Sequence, residues 1–212
     1  MRKLLRLLFH HFYHRFAWTY DFVAAFVSVG RWKDWILTAL PHIRGTRILE
    51  IGFGPGHLQV ELNRQGFQAL GLDESREMAS RARKNLFRNG FPSALTRGYA
   101  QSLPFAANSI DSVVATFPSE YIIERRTLAE IHRILKPGGR LIIVPTAWIG
   151  GRSLADFAAR WLFRISGQAA ALTDNLTSRI DSIFSESGFL VEMFRAEVRQ
   201  STVLLVIAEK IA

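Results

Sequence analysis

Residues 46–66 read TRILEIGFGPGHLQVELNRQG. An apolar run closes on Gly52, glycines recur at 54 and 56, and apolar residues then return at helical spacing until Gly66. Glycine serves two ends in such a turn. It admits positive φ, and it lets a ligand reach the main chain without meeting a Cβ. A turn alone needs one or two glycines, so three on alternate positions behind a buried strand point to something bound.

Outward from that turn, strand-like and helix-like stretches alternate. QALGLD predicts a second strand ending on Asp73, and SREMASRARKNLFRNG an exposed helix capped by Ser75, with Met78 and Ala82 facing inward and Gly90 at its end. A third strand lies near ALTRGYA and a fourth at IDSVVAT; the helix RRTLAEIHRIL follows, and KPGG makes a tight turn into a fifth strand, RLIIVPT. Such alternation predicts a parallel sheet covered on both faces. FLVEMFRAEVRQ and STVLLVIAEK are then joined too closely for a crossover helix, so they form an antiparallel pair. The expected fold is α/β: a Rossmann-like doubly wound sheet of seven strands, mostly parallel, with a C-terminal antiparallel hairpin. The expected division is an N-terminal basic helical cap over residues 1–45 and the sheet domain over 46–212, with a substrate-cover insertion at 147–189.

The bulk composition agrees with one globular domain. The chain has 212 residues, 49% hydrophobic and 21% charged, and it has no cysteine. Disulfides and thiolate metal sites are thereby excluded, no metal is assigned, and a cytoplasmic location is expected. No apolar run approaches the roughly 18 residues of a membrane span. Charge is uneven: residues 1–47 hold eight Lys/Arg against Asp21 and Asp34, +6 of the total +9.

In a doubly wound sheet the ligand sits beyond the C-terminal strand ends, where strand order reverses, and the first strand–helix turn is the usual place. A dinucleotide prefers G-x-G-x-x-G, but here the spacing is G-x-G-x-G, with His57 where the third glycine would fall. Glu50, two residues before Gly52, would repel a pyrophosphate and favour a ligand with positive charge. S-adenosylmethionine carries a sulfonium and an ammonium. Asp73, about 20 residues on, ends the second strand where an acid can accept from both ribose hydroxyls. A structural glycine turn in an unrelated α/β protein is the bland alternative.

These stretches, in this order, resemble the class I S-adenosylmethionine-dependent methyltransferases, in the branch that includes the ubiquinone/menaquinone-biosynthesis enzymes. ILEIGFGPG is similar to the family's first motif and GLDES to its ribose-binding second. GYAQSLPF is similar to the adenine-side loop, SIDSVVATF to the fourth strand, and IHRILKPGGRLIIV to the helix–turn–strand after it. Upstream, FAWTYDFVAAFVSVGRWKDW resembles the aromatic segment that caps the quinone-branch site. The resemblance spans roughly residues 16 to 146. It implies S-adenosyl-L-methionine as cofactor, with Glu50, Gly52, Phe53, Gly54 and Gly56 at its methionine end. Asp73 would hold the ribose, Glu74, Ala100 and Gln101 would flank the adenine, and Thr116 would close the site. Where the family often has an acid before the alanine, this chain has Tyr99, which leaves adenine recognition to main chain or to Gln101.

Methyl transfer from a sulfonium is an in-line displacement dominated by positioning and desolvation. No clean base stands out. Glu120 and Tyr121 follow the fourth strand, although PSEY also reads as a helix-capping loop; Tyr20 matches the family's cap tyrosine or is a packed aromatic. His57 reads as a polar helix start and His132 as a helix-surface residue. MRKLLRLLFHHFYHRFAW sets Leu5, Leu8, Phe12 and Phe16 at helical spacing among Arg2, Lys3, Arg6 and Arg15, as in a helix lying on anionic lipid. A helix packed on the domain reads equally well. GGRSLADFAARWLFRISG carries a second such pairing, Leu154, Phe157, Trp161 and Ile165 against Arg152, Arg160 and Arg164. Together they suit a hydrophobic small-molecule acceptor, a quinone precursor or phospholipid, with residues 1–16 making peripheral contact with an anionic inner membrane face. Nucleic acid is the rival acceptor, and it is not expected: ATFPSEY lacks the Asn/Asp-Pro-Pro-aromatic loop of amino-methylating nucleic-acid enzymes, and the basic residues alternate with leucines. A non-catalytic module that retains the cofactor pocket is the third reading.

Overall fold

The computed structural model describes residues 31–149 and 174–211. The expectations for Tyr20, for the basic segment 1–16 and for the aromatic-basic stretch 150–173 lie outside the described residues.

Strands β1 (Arg47–Ile51), β2 (Gln68–Asp73), β3 (Leu95–Arg97), β4 (Ile110–Thr116) and β5 (Leu135–Val144) pair in parallel in the order β3-β2-β1-β4-β5. β8 (Ser201–Lys210) runs antiparallel beside β5, and β7 (Phe189–Val198) closes the edge antiparallel to β8 across the two-residue turn Arg199–Gln200. The short link therefore does produce a hairpin, with Arg199 taking up the turn at φ 51°. An eighth strand, β6 (Ala147–Ile149), pairs with Ser201–Val203 of β8, while β5 pairs with Val206–Glu209. β5 and β6 thus share one edge of β8, and eight strands occupy the seven positions that the sequence predicts.

One local expectation changes. KPGG is not a turn ahead of the fifth strand; it is an irregularity within β5. Ile110 pairs with Leu135 but Ser112 with Arg140, so the register slips across these residues. Gly139 is needed because a Cβ there would stand 2.8 Å from the Lys136 carbonyl oxygen and 3.0 Å from that of Asp111.

Alternation along the strands divides the core. Leu49, Ile51, Val113, Ala115, Leu141 and Ile143 face α4 (Arg125–Ile134) and α5 (Asp174–Glu186), which contribute Leu128, Ile131, Ile134 and Phe184. Ile48, Val114, Ile142 and Val144 face α1 (Trp32–Leu37) and α2 (His57–Arg64), which contribute Trp35, Ile36, Leu58 and Leu62. Trp35 and Ala39 are fully buried in this second cluster, so residues just before β1 share the core of the sheet. α3 (Arg76–Arg88) begins as the sequence predicts: the Ser75 hydroxyl accepts from the Met78 N–H at 3.2 Å, and Met78 and Ala82 are buried. From the 147–189 stretch, β6 joins the sheet and α5 packs Phe184 under it.

Candidate active site

Strand order reverses between β1 and β4, which places the glycine turn at the C-terminal strand ends. Gly52 donates its N–H to the Leu72 carbonyl at 2.7 Å, Gly56 to Phe53 at 2.9 Å, and Gly54 to Asp73 Oδ2 at 2.9 Å. Gly54 has φ 51° and a Cβ built there would meet nothing within 4 Å, so the front of the turn is open. Gly56, at φ 81°, passes against α3: its Cβ would stand 2.8 Å from that of Ala82. The turn is therefore wedged against α3 behind and bare in front. Phe53 turns its ring away, into a small core with Ala79 and Ala82, and leaves only its main chain to a ligand.

Two acids frame this turn. Asp73 Oδ1 accepts from the Ser75 N–H at 2.8 Å and Oδ2 from Gly54. Burial raises its pKa, and the N–H groups of Ser75 and Gly54 oppose that rise. Glu50 is 2% exposed on the face covered by α2, beside Gly71 and Val114 in register. Burial pushes its pKa up to about 8, the Gln59 amide lowering it and the charge of Asp73 adding to it. A buried acid near neutrality between protonation states suits a pocket that receives positive charge.

Other predicted residues divide between the rim and the core. Ala100 is buried in the α4-side core, and Gln101 Nε2 donates to Glu124 Oε2 at 2.8 Å. Glu74 is exposed, its carbonyl accepting from Arg97, and Thr116 ends β4 half-buried. Tyr99, 65% exposed, turns to solvent and does not stand in for the acid of the family pattern. Glu120 is exposed at the start of a 3₁₀ turn, Glu120–Ile123, whereas the Tyr121 hydroxyl stands 2.7 Å from where a Gly52 Cβ would be. Of the two, Tyr121 reaches the turn. His57 opens α2, and His132 packs edge-on against Phe189, its pKa lowered by burial and then by Lys210.

Three features escaped the sequence reading. Gln59 occupies the inner face of α2 between Leu58 and Leu62, a polar residue on an apolar stripe. Phe117, after β4, holds φ 49° and stacks on Trp32 at 4.2 Å; a non-glycine residue held at positive φ beside a site is stored strain. Arg133 on α4 donates to the carbonyls of Leu103 and Phe105, and Glu130 accepts from the Leu103 N–H, which staples the loop at 103–105. That staple had no signal in local spacing.

Residues 49–143 match the methyltransferase domain family. Over these residues the chain is similar to the class I S-adenosylmethionine-dependent methyltransferases. It is 30% identical over 134 residues to the ubiquinone/menaquinone biosynthesis C-methyltransferase of Geotalea uraniireducens, covering 59% of this chain and 57% of that one. It is 31% identical over 140 residues to the demethylmenaquinone methyltransferase of Symbiobacterium thermophilum, with 61% and 55% covered. The chain thus spans little more than half the length of these relatives. A methyltransferase of Methanosarcina mazei shares the fold at 20% identity and TM-score 0.58, over 81% of this chain and 96% of that one. Geranyl diphosphate methyltransferase in complex with S-adenosylmethionine shares it at 15% and 0.61, over 84% and 85%.

S-adenosyl-L-methionine is the cofactor that the similarity to methyltransferase domains supports. The residues present fit it: the bare face of Gly54, the spare lone pairs of Asp73 and the buried Glu50 stand together at one strand edge. In this protein, Asp73→Ala is expected to weaken S-adenosylhomocysteine binding by about 1–3 kcal/mol, the usual worth of hydrogen bonds to a charged group. It also leaves the Gly54 and Ser75 N–H groups unpaired, so the melting temperature should fall. Calorimetric titration with a parallel thermal melt checks both, and unchanged affinity would remove Asp73 from the ligand.

Proposed function

We propose that the protein transfers a methyl group from S-adenosyl-L-methionine to a hydrophobic small molecule, with quinone precursors ahead of phospholipids. The observation that carries the acceptor class is the roughly 30% identity to methyltransferases named for ubiquinone, menaquinone and demethylmenaquinone. The stacked, half-buried rings of Trp32 and Phe117 beyond β4 support it, because such a surface favours an apolar ring over a polar chain. Bound S-adenosylmethionine supplies an electrophilic methyl on a sulfonium.

The remaining chemistry falls to this chain's own groups. Glu50 offers negative charge to the cationic end of the ligand, Asp73 accepts from the ribose hydroxyls, and the main chain of the glycine turn receives the carboxylate end. Gln101, Ala100 and Glu74 flank the adenine, and Thr116 closes the site. Tyr121, against Gly52, orients the acceptor and holds a proton at its hydroxyl in this reading, with Glu120 as the exposed acid and Tyr20 as the cap. Residues 1–16 are the peripheral contact with an anionic membrane.

Incubation with methyl-labelled cofactor, against lipid extract in anionic vesicles and against total RNA, tests this reading. Label is expected in a quinone-type lipid. Deleting residues 1–11 should slow that reaction and leave cofactor affinity unchanged. Label in RNA alone would reverse the acceptor assignment, and label in neither would leave polar metabolites as the acceptors.

A further inference from the structure

Gln59 stands apart among the buried polar residues near the turn. It is 1% exposed, on the face of α2 that packs on the sheet. Its Nε2 donates twice, to Glu50 Oε2 at 2.9 Å and to the Leu70 carbonyl at 3.1 Å. Its Oε1 is buried without a hydrogen-bond partner. An orphan acceptor in an apolar setting is expensive, and a leucine would remove it while packing against the same neighbours. Stability alone does not account for an amide here.

We propose that Gln59 is a positioning residue for the cofactor site: keyed by the Leu70 carbonyl, its amide can only donate to Glu50, and it fixes the carboxyl in the orientation from which it meets the cationic end of the cofactor. The inference rests on S-adenosylmethionine lying at the glycine turn. Rotating the amide by half a turn would set Oε1 against both the Leu70 carbonyl and Glu50, acceptor facing acceptor. The backbone of β2 therefore fixes which end of Gln59 meets the acid. A neutral Glu50 carboxyl can accept from Gln59 through its carbonyl oxygen, but the ionised form accepts more strongly, so the contact favours the carboxylate.

The groups around Glu50 make this contact decisive. β2 presents Gly71 and β4 presents Val114 in register with it, and neither side chain can stabilise a charge. Asp73, from the end of β2, is the charged group that bears on Glu50, and it resists ionisation. From α2, Gln59 alone opposes burial and Asp73 together. Glu50 then ionises most readily when a positive ligand arrives beside it.

The test is calorimetric titration of S-adenosylmethionine into the full chain at pH 6.5, 7.5 and 9.5. Wild type, Gln59→Leu, Glu50→Gln and the double variant are compared. The ligand's own amino group titrates in this range, equally for every variant, so the ratio of variant to wild-type Kd is read. A rise of about one unit in the Glu50 pKa makes Gln59→Leu bind about tenfold more weakly at pH 6.5, narrowing to about twofold or less at pH 9.5. In the Glu50→Gln background, the same change should shift Kd by less than about twofold. A loss that is equal at all three pH values, or equal in both backgrounds, would mean that Gln59 only fills space, and the proposal fails. Gln59→Met, closer in length, gives the same comparison if thermal melting shows the leucine variant unfolding early. Wild-type protein that binds no S-adenosylmethionine at any pH would overturn the cofactor reading itself and this inference with it.

Discussion

Glu50→Gln is expected to make the ligand-free protein more stable at pH 8.5 while it weakens cofactor binding. The folded-state pKa of Glu50 is raised from 4.5 to about 8, so the folded protein holds a proton that the unfolded chain releases. Stability therefore falls as pH rises from about 4.5 to 8, and the penalty is complete above 8. At about 1.4 kcal/mol per unit, the full penalty is on the order of 3–5 kcal/mol. Glutamine cannot ionise, yet its amide oxygen can still accept from Gln59. Urea unfolding should show a gain of several kcal/mol at pH 8.5 that shrinks towards zero near pH 5. A gain that is flat with pH would mean that Glu50 titrates normally, whereas a loss at every pH would mean that the carboxyl makes contacts an amide cannot replace. The same variant removes the negative charge from the pocket, so S-adenosylmethionine affinity should drop at least tenfold at pH 8.5. Stability and function are opposed at this one side chain.

The second large effect separates two glycines of one turn. At Gly54 a Cβ meets nothing, so Gly54→Val carries only the backbone strain of φ 51°, about 1–2 kcal/mol. The added branch stands in the open front of the turn, where the proposed site brings the cofactor to the main chain. A folded protein with a cofactor affinity lowered about a hundredfold or more is expected. At Gly56 the geometry is reversed. Even alanine there would place its Cβ 2.8 Å from Ala82 at φ 81°, so overpacking and strain add to about 2–5 kcal/mol. Gly56→Ala should lower the unfolding midpoint strongly. Circular dichroism melts paired with S-adenosylhomocysteine titration separate the cases. Loss of fold in Gly54→Val, or normal stability in Gly56→Ala, would contradict the wedge between the turn and α3.

The residue pattern alone determined whatever rests on near neighbours along the chain. The strand–turn–helix at 46–66, the Ser75 cap, the seven sheet positions and the terminal hairpin all follow from spacing, capping chemistry and loop length, and each lies within a few residues of its cause. The ligand class was legible for the same reason, since G-x-G-x-G, Glu50 and Asp73 bracket a single turn. Tertiary structure decided the rest. The KPGG irregularity follows from the register of β5 against β4, and β6 exists because β8 extends past the end of β5 and offers a second partner. Phe117 meets Trp32 across 85 positions, and Arg133 reaches the loop at 103–105 only because α4 lies over it. Gln59 is nine residues from Glu50, yet their contact depends on how α2 crosses β1 and on a carbonyl of β2. A periodic pattern specifies which face of an element is buried; it does not specify which atom of the opposite element that face meets. At Glu50 that atom is the Gln59 amide nitrogen, which opposes the effect of burial on the acid.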